Sequence, residues 1–264
     1  MNTTISPNFI YEQSAAARQR MLSRRGEPLF IAGWKRALML HFEVDATALQ
    51  RAVPYKLDLW EGRAFVSLVA FTMRGMRPRM GGKVSAFLFR PIATHDFLNV
   101  RTYVRQGREC GIHFIAEWLT NRLAVMLGPT TFGLPYHHGR IAYDHDFENG
   151  ALFGQVVDVK SGAKLSYDVR LTGLDTFQLC AVGSLDEWLM ERYTAFNSAN
   201  GKRRFFRVWH PPWPQCRVEA KVKENSLLRK NWPWFAEAEL VGANFSPGFD
   251  EVWMGRPFKV TSDK

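Results

Sequence analysis

Apolar and polar residues alternate with a period of two along several stretches of this chain, which predicts a protein built mainly from β-strands. Between residues 28 and 44, Leu38 and Leu40 share one face, while Met39 and His41 share the other. The segment 63–73, RAFVSLVAFTM, is apolar on both faces, which is typical of a strand in the middle of a sheet. Further strands are predicted at 83–90, 97–105, 111–119, 140–147, 152–160, 164–173, 203–209, 215–223 and 235–242.

Helix signals are fewer. They predict helices at 9–25, 45–53, 121–132 and 184–196. Asp45 can cap the second helix, Pro129 should bend the third, and the capping box that starts at Ser184 opens the fourth. A Gly- and Arg-rich loop is expected at 74–82.

Strands dominate, the connections are short, and no linker or repeat interrupts the chain. The pattern predicts a mainly β (α+β) fold: one closed or strongly curved sheet with a few covering helices. We expect an N-terminal extension with a short helix at 1–27 and one domain at 28–264.

Composition narrows the protein class. The chain has 264 residues and is 46% hydrophobic, so it can bury a sizeable core. No apolar run approaches the ~20 residues that span a bilayer, and the N-terminus lacks the apolar region of a secretory signal. Cys110, Cys180 and Cys216 are widely spaced and odd in number, which argues against a disulfide framework. We therefore expect a cytoplasmic protein with no membrane partner.

The net charge of +10 raises the question of nucleic-acid binding. The basic residues form short clusters along the whole chain, and no helix-turn-helix, zinc-ligand or aromatic RNA-binding motif accompanies them. We expect no specific nucleic-acid partner. A solvated basic surface, or a general attraction for anionic metabolites, explains the charge.

The segment 99–119 carries the first candidate site residues. Alternation places Arg101 and Tyr103 on one face of their strand, and His113 and Glu117 together on one face of the next. If the two strands pair, these four side chains form a polar patch. On an ordinary sheet the patch would face solvent. Inside a barrel it would line the lumen, where a buried arginine needs an anionic partner.

A tight elbow, Gly-Leu-Pro-Tyr-His-His at 133–138, follows the third helix. Gly133 can end that helix and Pro135 prevents its continuation. Tyr136 and His138 should share a face, because adjacent strand residues point in opposite directions.

The candidate residues fall into two groups. Those expected to act as acid and base are Tyr136, His138 and Glu117, and those expected to contact a ligand are Arg101, Tyr103, His113 and His41. The histidines and Glu117 could also supply metal ligands, but their spacing is not that of a metal site, and we expect no metal. We also expect no cofactor, because the nucleotide-binding and nucleophile-elbow motifs are missing.

Several motifs together resemble the YqjF-like family of bacterial proteins, distant relatives of acetoacetate decarboxylase. The matching segments are AARQRMLSRRGEPLF, MLHFEVDATALQRAVPYKLDLWEGRAFVSLVAF, NVRTYV, GIHF, FGLPY, LDEWLMERYTAF, HPPWP and FSPGFDEVWMGRP. They run in family order from about residue 15 to residue 257. The resemblance implies the curved, barrel-like sheet of the acetoacetate decarboxylase fold, enclosing one cavity. It does not carry over an activity.

One departure from the decarboxylases matters chemically. They carry a Gly-Phe-Pro-Lys-Lys type of elbow, in which one lysine forms a Schiff base with the keto acid. Here Tyr136 and His137 stand in the place of the two lysines, and neither side chain forms a stable imine. Decarboxylation by that route is not expected.

The predicted function is a pocket for a small anionic or carbonyl-containing molecule. Two classes stay open: a lyase (aldol-type or hydro-lyase) that acts on a keto or carboxylate substrate through Tyr/His acid–base chemistry, and a non-catalytic metabolite-binding protein. The sequence does not decide whether the chain is an enzyme or whether it forms a homo-oligomer.

Overall fold

Strands dominate the computed structural model, which describes residues 8–171 and 176–260. The strands are β1 (Phe30–Val44), β2 (Lys56–Leu57), β3 (Ala64–Pro78), β4 (His95–Gln106), β5 (Glu109–Leu119), β6 (Tyr136–Asp144), β7 (Ala151–Asp158), β8 (Lys164–Arg170), β9 (Thr194–Ala199), β10 (Lys202–Trp209), β11 (Cys216–Arg217), β12 (Glu219–Asn225), β13 (Glu239–Met254) and β14 (Phe258–Lys259). The helices are α1 (Asn8–Leu22), α2 (Ala46–Ala52), α3 (Gly82–Phe89), α4 (Arg122–Thr131), α5 (Leu185–Met190) and α6 (Ser226–Asn231). The last residues of the strand predicted at 164–173 lie outside the described residues.

Seven of the strands pair in a closed circuit. Its order is β5, β9, β10, β13, β1, β3, β4 and back to β5. The β5–β9 and β10–β13 pairings each join only two residue pairs, so the circuit is a strongly curved mixed sheet and not a regular barrel. From β5, the strands β6, β7, β8 and β12 continue the sheet.

The curved sheet separates two hydrophobic cores. Met39, Val69 and Phe97 belong to the core inside the circuit. Leu38 and Leu40 point the other way and pack with residues of β7, β8 and α6. The alternation predicted for the first long strand is confirmed. So is the double-sided burial of 63–73, because all side chains from Ala64 to Phe71 are buried.

Three predicted elements are wrong. The loop expected at 74–82 begins only after Pro78, because residues 74–78 continue β3 and pair with β1. The segment 83–90, predicted as a strand, is helix α3. Gly81 and Gly82 both have positive φ and turn the chain away from the sheet, so the next residues have no strand to pair with. The helix predicted at 184–196 ends at Met190, because residues 194–199 pair with β10 instead.

Helix α4 confirms the helix predicted at 121–132, and Asn121 caps it by accepting a hydrogen bond from the backbone N–H of Ala124. It covers the sheet as expected, with Leu123 and Met126 exposed, and its Ala124, Leu127 and Gly128 form part of the wall of an internal cavity. Among the described residues, no helix has the length and apolar character that a bilayer crossing requires.

Candidate functional site

An internal cavity of about 230 Å³ lies within the strand circuit, bounded by α4. Its wall is mainly aromatic and aliphatic and comes from β1, β3, β4, β5, β10 and α4. Large contributors are Trp34, Phe71, Phe97, Phe114, Phe132 and Phe206. Few polar side chains interrupt this wall, and each of them is therefore a candidate for ligand contact.

Arg101 of β4 is the central polar group. Its side chain lines the cavity and is only 6% exposed. One terminal nitrogen, Nη2, donates to the carbonyl oxygen of Leu189 at 3.3 Å, whereas Nε has no hydrogen-bond partner. No described carboxylate forms an ion pair with it. Burial lowers the pKa of Arg101. A buried cation without a counterion is costly, so this guanidinium is suited to an anion that enters the cavity.

Glu117 of β5 is the carboxyl group that faces the same cavity. It is 3% exposed, and its Oε2 atom has no hydrogen-bond partner. Burial raises the pKa of Glu117 well above its usual value. The side chain is therefore held in its acid form, in which it can donate a proton or a hydrogen bond to a ligand.

Tyr136, the first residue of β6, stands beside Glu117. The two residues pair across the parallel β5–β6 ladder. The tyrosine ring packs on Phe97 and lies against the backbone of Gly128, where any larger residue would overlap it. Burial, and then the neighbouring Glu117, raise the pKa of Tyr136, so its phenol stays neutral.

A β-bulge decides which side chains face the cavity. Val100 pairs with Ala116 but Arg101 pairs with Phe114, so Ile115 is an extra residue in β5. Phe114 and Glu117 consequently both face the cavity. The prediction that His113 and Glu117 share a face, which assumed strict alternation, is wrong.

His113 lies on the opposite side of the sheet. Its Nδ1 atom is 3.1 Å from the carbonyl oxygen of Phe196, and its ring packs on Tyr55. Burial lowers the pKa of His113 to about 4. The structure therefore removes His113 from the set of cavity residues.

The elbow histidines do not reach the cavity either. His138 pairs with Leu119, is partly buried, and is not among the lining residues. His137 is exposed and stacks on Trp118, with 5.1 Å between the ring centres. Of the acid–base candidates, the structure brings together Tyr136 and Glu117 but leaves His138 outside.

Tyr103 and His41 form a second layer behind Arg101. Tyr103 shares the face of Arg101, as predicted, but its hydroxyl is engaged by Ser67 at 2.6 Å and by the carbonyl oxygen of Leu189 at 3.0 Å. The same Ser67 hydroxyl also contacts Nδ1 of His41 at 2.7 Å, and Nε2 of His41 contacts Asn244 at 3.1 Å. This chain of hydrogen bonds ends at the carbonyl that also accepts from Arg101, so it helps to fix the guanidinium.

The tautomer and charge of His41 follow from this setting. Burial, and then the nearby Arg101, lower the pKa of His41 to about 3. Asn244 contacts Nε2 through its Oδ1 atom, which only accepts, so the single N–H of the neutral ring is at Nε2 and Nδ1 accepts from the Ser67 hydroxyl. His41 therefore acts as a polar link within the protein and does not itself line the cavity.

Further polar residues that were not selected from the sequence also line the cavity. They are Asn99, Arg192, Trp213, Thr131, Thr194 and two buried histidines, His95 and His210. Nη1 of Arg192 pairs with Asp58 at 2.9 Å, but Nη2 has no partner, and Nε1 of Trp213 has none either. Asn99 precedes Arg101 by two residues and could have been found by alternation. Arg192 and Trp213 lie in LDEWLMERYTAF and HPPWP, two of the segments that carry the family resemblance, and this was the signal in the sequence that could have selected them.

The lysines stay away from the cavity. Within residues 8–171 and 176–260, none of its lining residues is a lysine. Lys35 pairs with Asp250 at 2.5 Å, and Lys83 is exposed on α3. In the same part of the chain, no cluster of three or more histidine, cysteine or acidic residues is placed to hold a metal ion.

Solved structures share this architecture. An acetoacetate decarboxylase-like enzyme from Sphingomonas wittichii RW1 aligns with a TM-score of 0.60 at 14% identity, over 90% of this chain and 95% of that one. The enduracididine biosynthesis enzyme MppR, complexed with pyruvate, aligns with a TM-score of 0.61 at 10% identity, over 89% of this chain and 91% of that one. At these identities the likeness shows the acetoacetate decarboxylase-like fold.

Sequence comparison identifies the family. The uncharacterized protein YqjF of Bacillus subtilis (strain 168) is 28% identical over 196 residues, which cover 74% of this chain and 78% of that protein. The model of the DUF2071 family, described as an uncharacterized conserved protein, matches residues 32–247. The match spans most of the curved sheet and most of the residues that line the cavity. This chain therefore belongs to the DUF2071 family.

Proposed function

We propose that this protein binds a small anionic, carbonyl-containing molecule in the cavity, with Arg101 as its anion contact. The observation that carries the proposal is a fully buried guanidinium that lines the cavity without a carboxylate partner. The described part of the protein supplies no carboxylate to balance the charge of Arg101. An anionic ligand that enters the cavity would form the missing ion pair with this guanidinium.

The other polar groups extend the proposal to a 2-oxo acid with an apolar body. Nη2 of Arg192 and Nε1 of Trp213 are further donors without partners. Glu117 in its acid form and the neutral phenol of Tyr136 can donate to a carbonyl oxygen. The aromatic wall suits an apolar substituent. The pyruvate complex of MppR supports the same ligand class on this fold.

Catalysis without an imine is the second part of the proposal. In this step Glu117 first ionises; its carboxylate takes a proton from the carbon beside the ligand carbonyl and later returns it there, while Tyr136 donates a hydrogen bond to the oxygen of the enolate formed in between. This chemistry is that of an aldol-type lyase or a hydro-lyase. A non-catalytic binding protein would use the same contact between Arg101 and the ligand's carboxylate. It would not require Glu117 to ionise.

Calorimetric titration with pyruvate, 4-methyl-2-oxopentanoate and phenylpyruvate tests the binding step. We expect the two larger acids to bind more tightly than pyruvate, because they fill more of the apolar wall. Arg101→Met should weaken binding by about thirty- to a hundredfold, the loss expected for a buried charge-assisted hydrogen bond. Arg140→Met, which removes an exposed arginine on β6, is the matched control. Equal affinity in the two variants, or no binding of any acid to the unaltered protein, would overturn the proposal.

A further inference from the structure

An apolar surface patch covers two neighbouring helices beside the cavity. On α3 and just before it, Met80, Val84, Phe87 and Leu88 are between 69% and 74% exposed. Helix α3 has no buried residue at all. Leu123 and Met126 are exposed on α4, and the side chain of Asn121 at its start donates to the carbonyl oxygen of Pro91, just after α3. These six apolar residues form what we call the α3–α4 patch.

Such a surface is unusual on a protein that stays in water. A short helix without a buried face gains little stability from packing, and contiguous exposed apolar residues of this size mark interaction sites. The patch is also continuous with the functional site, because Phe89 of α3 and Leu127 of α4 line the cavity.

The charges around the patch indicate what binds there. From Gly62 to His95 the chain contains no acidic residue. That segment contains five exposed cations, which lie on α3 or on the residues just before and after it in the chain: Arg74, Arg77, Arg79, Lys83 and Arg90. None of them forms an ion pair with any described residue.

We propose that the α3–α4 patch is a docking surface for an anionic lipid bilayer, with the apolar side chains entering the headgroup region and the cations contacting lipid phosphates. A second copy of this chain fits less well, because a symmetric contact would bring the two sets of cations together. The expectation of no membrane partner rested on the lack of a spanning segment, and a surface contact needs none.

Co-sedimentation with vesicles tests the proposal without reference to the cavity ligand. The unaltered protein should bind phosphatidylglycerol vesicles, bind phosphatidylcholine vesicles much more weakly, and be released by added salt. Arg74→Gln/Lys83→Gln/Arg90→Gln should weaken binding about a hundredfold, at about fivefold per cation near the surface. Phe87→Ser/Leu88→Ser should weaken it about tenfold or more, because these side chains would supply the apolar contact.

Matched controls lie elsewhere on the surface. Arg229→Gln/Lys230→Gln removes two exposed cations of α6, and Phe153→Ser removes an exposed aromatic residue of β7. Both should bind vesicles as the unaltered protein does. The proposal is overturned if the unaltered protein ignores anionic vesicles, or if patch and control variants bind alike. It is also overturned if light scattering shows a dimer that Phe87→Ser/Leu88→Ser converts to a monomer, since the patch would then join two copies of the chain.

Discussion

Glu117 and Tyr136 are paired on neighbouring parallel strands, and both side chains face the cavity that contains Arg101. The carboxyl group has a raised pKa because it is buried, and its proximity helps to keep the phenol neutral. Two proton donors therefore stand side by side in a largely apolar site. This pair occupies the region in which acetoacetate decarboxylases, by the resemblance of the elbow, carry lysine.

Proton exchange at carbon 3 of pyruvate should report on this pair. In heavy water, NMR should show loss of the methyl proton signal faster with the protein than without it. Glu117→Gln and Tyr136→Phe should each slow the exchange by about a hundredfold, since each removes one partner in general acid–base catalysis. Glu219→Gln, an exposed change on β12, should leave it unaltered. If pyruvate binds but no exchange occurs, the non-catalytic alternative is correct.

Imine chemistry should be absent. Borohydride added with acetoacetate or pyruvate should give no reduced adduct, because no lysine among the described residues lines the cavity. Intact-protein mass spectrometry measures this directly, and a decarboxylase with an elbow lysine serves as the positive control. An adduct whose yield depends on substrate concentration would show that a lysine reaches the ligand.

The buried histidine His113 should make stability depend on pH. Its pKa falls from 6.5 to about 4 on folding, so protons bind the unfolded chain more readily between these values. The free energy of unfolding should therefore decrease as the pH falls below 6.5, by up to about 1.4 kcal/mol per pH unit for this one group. In His113→Gln this contribution is missing.

Urea denaturation of both proteins across this range measures the effect. Above pH 6.5 the free energies of unfolding of the two proteins should differ by a constant amount. Below pH 6.5 the unaltered protein should lose stability relative to His113→Gln. Parallel curves throughout would mean that His113 is protonated equally easily in the folded and unfolded chains.

Gly128 should be needed for the position of Tyr136. A methyl group at this position would overlap the tyrosine ring, so Gly128→Ala must displace either the ring or helix α4. We expect a loss of about 1–3 kcal/mol in the free energy of unfolding, which is typical of overpacking, together with loss of pyruvate exchange. Gly242→Ala is a suitable control, because nothing lies within 4 Å of the added carbon there. Normal stability and exchange in Gly128→Ala would show that the ring has room to move.

The strand-rich fold and part of the site were predictable from residue order alone. Alternation over long segments is strong where one face is buried, and it correctly placed Leu38 and Leu40 opposite Met39. It also placed Arg101 and Tyr103 on one face of β4, and the helix predicted at 121–132 is confirmed. The missing elbow lysine needed no structure to be noticed, because it is a statement about residue type.

Which of these polar residues share the cavity depends on long-range strand pairing. The extra residue Ile115 in β5 moves Glu117 to the cavity side and leaves His113 on the other, and a bulge of this kind depends on pairing with β4, not on local sequence. Arg192 and Trp213 reach the cavity from segments distant in the chain. Residues 83–90 were likewise misassigned: they follow Gly81 and Gly82, whose positive φ turns the chain, and they form helix α3 and its end without pairing to a strand. Local sequence patterns determine which residues share a face of a strand or helix. Long-range strand pairing determines which of those faces line the same cavity.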